Sequence, residues 1–186
     1  MPDSTDQPRP AAYTVRDGTA ADVPKIVALA QRALGGGVLT SEAYWRWKHL
    51  ASPFGASPVR LAVGPDGQVV GLRTFTRWEW ASADATITAV RPVDTATDPG
   101  WRRRGIFKTL TLGLVDQATS GGVGFVYNTP NDQSHPGYLK MGWTDVCRVP
   151  IRMLPLRPAR MAARLVARRL GGSPLEVADF PDDGSV

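Results

Sequence analysis

Three consecutive arginines and a glycine in the middle of the chain form a pattern that can bind an anion. The run 102–104 is followed by Gly105, and a helical pattern begins at once with Ile106. The first turn of a helix leaves backbone N–H groups without partners and carries partial positive charge, and arginines add bidentate donors. The segment therefore predicts a site for a phosphate-like anion, the alternative being an ordinary helix start with solvated arginines.

A second group of polar residues consists of Asn131, Ser134 and Tyr138. A phenol can donate a proton to a leaving group, and Asn and Ser side chains can hydrogen-bond a ligand. The same residues also suit ordinary roles, because Asn and Ser cap helices and a tyrosine packs under a sheet. On local grounds both interpretations stay open.

Together the two segments resemble the acyl-CoA signatures of the GNAT N-acetyltransferase superfamily. In RRRGIF, Arg102 and Gly105 match the family pattern, whereas Phe107 stands where a small residue is usual. In NTPNDQSHPGYLKMGW, Tyr138 leads into a Gly-aromatic pair as in the family, and Gly137 replaces a larger apolar residue. Two motifs in family order are far more specific than either alone.

The resemblance covers residues 13–154 and implies an α+β fold of the GNAT acyl-CoA N-acyltransferase type. This fold is three-layered (α/β/α-like), with a mixed, mostly antiparallel sheet of about six or seven strands flanked by helices. The resemblance implies an enzyme that transfers the acetyl group of acetyl-CoA, as co-substrate, to a primary amine by direct attack in a ternary complex, without a metal. Tyr138 corresponds to the acid for the departing thiolate. The positions that correspond to cofactor contacts are Thr95, Ala96, Thr97, Arg102, Arg103, Arg104, Gly105, Ile106, Phe107, Asn131 and Ser134.

The general base for the amine stays open at this point. Where some relatives carry a strand glutamate, this chain has Arg91 or a neighbour. Glu79 and Asp94 are the nearest carboxylates by strand position, and a relayed water is the third candidate. His49 and His135 have no partner visible in the sequence and are predicted in surface or capping roles.

The elements that must position these residues follow from the spacing of apolar residues and from the glycines and prolines between them. Strands are predicted over 13–16, 59–63, 69–80, 85–97, 124–130, 143–154 and 174–180, and helices over 23–34, 106–118, 136–142, 158–170 and within 41–55. Pro92 lies inside the fourth strand and has no N–H to donate, so that strand must be bulged or locally unpaired there. Trp45 and Trp47 are predicted core residues.

Length and composition indicate one folded domain. The chain has 186 residues, 42% of them hydrophobic and 21% charged, which suffices for one core. We expect a disordered lead-in over 1–11, a GNAT domain over 12–154, and a basic amphipathic helix with an acidic tail over 155–186. Without a run apolar enough to span a bilayer or a secretory pattern, a cytoplasmic protein is expected. Cys147, the single cysteine, is predicted to be a small buried residue.

Two other classes of function compete with the enzyme. The first is a non-catalytic acyl-CoA-binding or regulatory domain of the same fold, favoured by Phe107 and by the missing base. The second is nucleic-acid binding, suggested by the net charge of +5 and by the basic helix, although no nucleic-acid-reading motif is present. The expected partners are acetyl-CoA and a small-molecule or peptide amine, without a membrane. The identity of the amine and a homodimer remain open.

Overall fold

A computed structural model describes residues 12–147 and the isolated positions 154, 159, 162, 163, 166 and 169. The chain divides into two compact units, the first ending at Gly142 and the second beginning at Trp143. Within the first unit, residues 12–142 contain all the strands and the four helices discussed here. The predicted lead-in over 1–11, the predicted strand over 174–180 and the acidic tail lie outside the described residues.

Five strands in the described residues form one sheet in sequential order: β1 (Thr14–Asp17), β2 (Val59–Val63), β3 (Val69–Ala81), β4 (Thr86–Thr97) and β5 (Phe125–Val126). The first three neighbouring pairs are antiparallel and β4 pairs with β5 in parallel, so the sheet is mixed and mostly antiparallel. The predicted α+β fold is confirmed, with five described strands rather than six or seven. Parallel pairing of β4 and β5 requires a crossover, and a helix between them supplies it.

Helices cover both faces of the sheet: α1 (Val23–Leu34), α2 (Glu42–His49), α3 (Ile106–Ser120) and α4 (His135–Leu139). On one face, α1 and Trp45 of α2 pack with Leu61 and Leu72 in a buried cluster. On the other face, α3 packs through Ile106 and Leu110 in one cluster and through Leu114 in another. The alternation of inward and outward side chains on β2 and β3 thus supplies a core on each face.

Several expectations from the sequence are corrected. The described residues of the predicted strand over 143–154, which are Trp143–Cys147 and Leu154, are not in a strand, and Cys147 is exposed rather than buried. Trp45 is buried as expected, but Trp47 is 51% exposed. Residues 159, 162, 163, 166 and 169, within the predicted basic helix, are helical. Among the described residues, no helix is long and apolar enough to cross a membrane.

Candidate active site

The sheet opens between β4 and β5, and Pro92 explains where. These strands pair only at Ala89 with Phe125 and Val90 with Val126. The carbonyls of Thr88 and Val90 accept hydrogen bonds from Gly124 N (2.9 Å) and Tyr127 N (3.1 Å), so alternate residues of β4 point their backbone groups at β5. Pro92 is the next residue in that alternation and has no N–H. The expected local loss of pairing at Pro92 is thus found on the β5 side, where the two strands separate into what we call the β4–β5 opening.

A β-bulge lies two residues after Pro92. Leu72 pairs with Ala96 and Thr74 with Val93, so one residue of β3, Arg73, faces two residues of β4. Asp94 is one of those two and has a φ of 46°, a left-handed conformation that is uncommon outside glycine and that Asp tolerates better than most residues. The bulge thus reorients the Asp94 side chain relative to a regular strand.

The β4–β5 opening holds a cavity of about 600 Å³. The walls are β4 and the segment from Asn128 to Tyr138, while Arg73 and Phe107 contribute from β3 and α3. Of the eleven predicted cofactor contacts, four line this cavity with Tyr138: Thr95, Phe107, Asn131 and Ser134. Ala96 is 3% exposed within the core on the α1 face, so only its backbone can reach a ligand. Thr97 pairs with Gly71 of β3.

The remaining predicted contacts form the turn that begins α3. Gly105 is the N-cap of α3 with a φ of 76°, and Arg103 also has a positive φ, of 62°. Arg102 and Arg103 are exposed, and the Arg104 guanidinium lies 4.5 Å from the centroid of the Trp101 ring. The first turn of a helix leaves its N–H groups without intrahelical partners, and a glycine N-cap lets an anion approach the backbone there, which suits a phosphate.

Asn131 and Ser134 have a structural role in addition to lining the cavity. The Asn131 Oδ1 accepts hydrogen bonds from the Ser134 backbone N and from Ser134 Oγ, both at 2.9 Å. This turn leads directly into α4, which carries Tyr138. On the opposite side of the opening, Arg91 of β4 donates to Thr129 Oγ1 at 2.6 Å and ties the strand to the same segment.

Tyr138 is 4% exposed and accepts a hydrogen bond from Arg73, a residue that sequence reasoning missed. Arg73 is itself 2% exposed, and its guanidinium lies 5.2 Å from the Phe107 centroid and 5.5 Å from that of Tyr138. Burial lowers the pKa of Arg73, and Tyr138 and Asp94 oppose that shift only in part. A cavity-lining arginine in the middle of a buried strand carries no motif of its own, although its place in an apolar run was a usable signal.

Two departures from the family pattern, Phe107 and Gly137, lie against each other, while a third, Ser134 in place of the usual alanine, lies in the turn before α4. A Cβ at Gly137 would lie 3.3 Å from Phe107 Cε1, so the large ring fits because α4 has no side chain there. The Phe107 ring in turn meets Tyr138 edge to face, with centroids 5.6 Å apart. A large residue at 107 and a small one at 137 are therefore complementary.

His49 corrects the expectation of a surface or capping role. It is fully buried, its Nε2 lies 2.7 Å from Asp94 Oδ2, and its Nδ1 lies 3.0 Å from Ser57 Oγ. An ionised carboxylate only accepts hydrogen bonds, so Nε2 donates to Asp94, and in that tautomer Nδ1 accepts from Ser57. Lys48 Nζ lies 2.7 Å from the same Asp94 oxygen.

These contacts fix the charge state of Asp94. Burial acts to raise the pKa of Asp94, but the hydrogen bonds from His49 and Lys48 outweigh it and hold the pKa below its ordinary value of 3.8. Asp94 lines the cavity, whereas Glu79 is exposed and pairs with Thr88 near the outer end of the hairpin. Of the two carboxylates considered as bases, only Asp94 reaches the cavity. His135, the first residue of α4, is partly exposed.

Comparison with known proteins gives the family to which this fold belongs. Residues 14–146 match the family model for an acetyltransferase (GNAT) domain, and the chain therefore belongs to the GNAT acetyltransferase family. No curated protein matches the sequence.

Solved structures share the fold at low sequence identity. A predicted acetyltransferase of Clostridium acetobutylicum, solved with acetyl-CoA, is 16% identical with a TM-score of 0.63, over 77% of this chain and 97% of that one. A glucosamine-6-phosphate N-acetyltransferase of Arabidopsis thaliana is 16% identical with a TM-score of 0.61, over 77% and 99%. The aminoglycoside acetyltransferase AAC(6′)-Iy with a bisubstrate analog is 15% identical with a TM-score of 0.63, over 78% and 99%.

Proposed function

We propose that this protein is an N-acetyltransferase that transfers the acetyl group of acetyl-CoA to a primary amine by direct attack in a ternary complex. The observation that carries the proposal is the cavity of about 600 Å³ in the β4–β5 opening, which brings an ionised carboxylate, Asp94, and a buried phenol, Tyr138, to one space. Acetyl transfer to an amine needs a group that accepts a proton and one that donates it, and these two supply them.

Residues on the α3 side of the sheet fit acetyl-CoA. The turn 102–105 with the first N–H groups of α3 suits the pyrophosphate, because it combines N–H groups that lack intrahelical partners, positive charge and a glycine without a side chain. Thr95 and its neighbours in β4 lie along the opening, where their backbone groups suit the amide-containing arm. The carboxamide oxygen of Asn131 serves the turn before α4, so we assign its amide nitrogen to the ligand.

Tyr138 is assigned as the proton donor. Attack of the amine nitrogen on the thioester carbon forms the C–N bond and breaks the C–S bond, whose electron pair stays on sulfur. The Tyr138 hydroxyl accepts a hydrogen bond from Arg73, and a phenol that accepts in this way can still act as a proton donor to the sulfur. Its burial at the edge of the cavity keeps water from competing for that role.

Asp94 is assigned as the group that receives the amine. An ionised carboxylate attracts the acceptor amine in its protonated, ammonium form. It then accepts the proton that the ammonium must lose before its nitrogen can attack the thioester. His49 and Ser57 fix its orientation from the α2 face, because each is buried and hydrogen-bonded in series behind the carboxylate. A water relay between Asp94 and the amine is compatible with the same geometry.

An acetyl-transfer assay with radiolabelled acetyl-CoA against a panel of amines tests the proposal. The panel needs an amino sugar, an aminoglycoside, a polyamine and a peptide, because the acceptor side of the cavity carries a single carboxylate and few other selective features. We expect label in at least one amine and its loss in Tyr138→Phe. Binding of acetyl-CoA by calorimetry without transfer to any amine would instead support the non-catalytic acyl-CoA-binding domain.

A further inference from the structure

Arg73 is a buried cation that the protein itself leaves only partly satisfied. Its side chain is 2% exposed, yet none of the ion pairs among the described residues involves it. Its Nε is buried without a hydrogen-bond partner, and its neighbours are the rings of Phe75, Phe107 and Tyr138. Burying a charge in this way is unfavourable unless another group compensates it.

Tyr138 and Asp94 compensate the charge in part, and the cavity is where a further compensating group can enter. Arg73 lines the cavity, whereas its other sides meet aromatic rings and the sheet. Three ionisable side chains line it: Arg73 from β3, Asp94 from β4 and Tyr138 from α4. Asp94 is hydrogen-bonded to Lys48 and His49 on its own side, which partly neutralises its charge there. An anion that enters beside Tyr138 therefore meets a net positive wall.

We propose that Arg73 is the positive group of a leaving-group site: it offsets the negative charge that C–S cleavage leaves on sulfur, and that passes to the Tyr138 oxygen when Tyr138, the acid already assigned, gives up its proton. This leaving-group site rests on the proposed acetyl transfer. When the C–S bond breaks, its electron pair stays on sulfur and the Tyr138 proton moves to it. The negative charge then resides on the Tyr138 oxygen, which the Arg73 N–H already contacts, until the proton released by the amine returns to it.

The thiol of bound CoA reports on this site without any turnover. The thiolate absorbs in the ultraviolet, so its titration can be followed across the neutral to alkaline range in complexes of the protein with CoA. Complexes with desulfo-CoA provide the blank, since they contain the same tyrosines but no thiol. The variants are Arg73→Met and Arg73→Lys, and Arg77→Met is the matched control, because Arg77 lies on the same strand, exposed and bonded to the Ala56 carbonyl at 3.0 Å.

In the wild-type protein we expect the bound thiol to titrate about one pKa unit below free CoA, a tenfold change in thiolate fraction at a given pH. Arg73→Met should abolish this shift, Arg73→Lys should keep part of it, and Arg77→Met should leave it unchanged. Melting curves without ligand test the structural alternative: Met fills the same apolar surroundings, so Arg73→Met should melt at or above the wild-type temperature. A clearly lower melting temperature for Arg73→Met and Arg73→Lys alike, with an unchanged thiol titration, would show that the cation serves the fold instead.

The outcomes separate this inference from the function on which it rests. CoA bound with an unshifted thiol, alongside acetyl transfer to an amine, overturns the leaving-group site and leaves the acetyltransferase intact. A shift that survives in Arg73→Met overturns the role of Arg73. Failure of the wild-type protein to bind CoA by calorimetry overturns both proposals.

Discussion

Single residues divide the proposed chemistry between the two faces of the sheet. Tyr138, with Arg73 and Phe107, lies toward α3, while Asp94, with His49 and Lys48, lies toward α2. The bulge makes this possible. Because it adds a residue to β4 opposite Arg73, the Asp94 side chain can face α2 while the Arg73 side chain on β3 faces α3. Acid and base can thus meet one substrate from opposite sides.

Replacement of Tyr138 by Phe removes the proton donor and keeps the ring that packs on Phe107. We expect kcat to fall by about 100-fold, because a positioned general acid contributes on that order, while the dissociation constant of acetyl-CoA changes little. Steady-state kinetics and calorimetry measure the two quantities. An unchanged kcat would exclude Tyr138 as the acid.

Asp94→Asn tests the amine side, since Asn also tolerates the left-handed backbone found there. Without the negative charge we expect a higher KM for the amine and a kcat lower by about 100-fold. Glu79→Gln, an equal loss of charge outside the cavity, is the control and should retain wild-type kinetics. Equal effects of the two substitutions would point to overall charge rather than to a base.

The lowered pKa of Asp94 keeps its titration outside the neutral pH range. The carboxylate is ionised well above its ordinary pKa of 3.8 and protonates only below it. We therefore expect any fall of kcat/KM between about pH 5 and pH 8 to track the pKa of the acceptor amine rather than that of Asp94. Two acceptors of different basicity should shift the profile accordingly, and a profile that stays fixed would implicate a protein group.

At the scale of elements, the strands with strong alternation were predicted almost to the residue, and the strand that follows α3 was not. The range predicted as 69–80 is Val69–Ala81, and 85–97 is Thr86–Thr97, because alternating apolar residues face two cores. The predicted strand 124–130 shrinks to Phe125–Val126, since Pro92 ends the ladder on the neighbouring strand. Pairing depends on a partner that local sequence does not contain.

The site was predictable to the extent that its residues were local to motifs. Tyr138, Asn131 and Ser134 from the second motif, and Thr95 from the strand before the first, line one cavity, while their roles stay predictions. His49 and Arg73 were missed because their partners, Asp94 and Tyr138, are 45 and 65 residues away in the chain. The bulge brings His49 to Asp94, and the placement of α4 brings Arg73 to Tyr138. Neither feature can be predicted from the spacing of residues in the sequence.

Gly71 determines how closely α3 approaches the sheet. A Cβ at this position would collide with Ile106 Cγ2, in the first turn of α3, and lie 3.0 Å from Ala62 Cβ. Gly71→Ala should lower the free energy of unfolding by about 1–3 kcal/mol through overpacking, and weaken acetyl-CoA binding because the start of α3 moves. Gly36→Ala, with no atom within 4 Å of its Cβ, is the control in denaturant titrations. If Gly71→Ala is destabilised but binds acetyl-CoA with unchanged affinity, the position of α3 does not affect cofactor binding.

An ion pair fixes the start of α1. Two hydrogen bonds of 2.8 and 2.6 Å from Arg16 hold the pKa of the Asp22 carboxyl well below its ordinary 3.8. A carboxyl whose pKa is lower in the folded than in the unfolded protein stabilises the fold at pH values above the unfolded pKa. This stabilisation is lost as the pH falls toward the folded pKa. Asp22→Asn should therefore cost about 2 kcal/mol at neutral pH, and the difference from wild type should shrink in acid.

Glu42→Gln is the matched control for that prediction. Its partner Arg46 lies 3.7 Å away on an exposed helix surface, where such pairs contribute no more than about 0.5 kcal/mol. Urea unfolding at neutral and acidic pH measures both variants. A loss in Asp22→Asn that persists undiminished in acid would mean that its carboxylate charge is not the cause.

For the whole molecule, we expect acetyl-CoA to stabilise the folded state. It would join the start of α3, the open edge of β4 and α4, elements that come together around the cavity. At a ligand concentration 100 times the dissociation constant, the native state should gain about 2.7 kcal/mol, seen as a higher melting temperature. ATP at the same concentration is the control for general anion binding to a chain of net charge +5. Equal shifts with both ligands would favour non-specific electrostatics.

Pro92 deprives β4 of one backbone hydrogen-bond donor, and no change of conditions restores it. Because its ring nitrogen carries no hydrogen, β4 lacks a donor on the side where β5 departs, whatever the pH, the salt or the ligand present. The β4–β5 opening is therefore present in the protein alone, and a ligand that binds there does not have to break a strand pair. The β4–β5 opening is thus preorganised by the covalent structure of one residue, the proline at position 92.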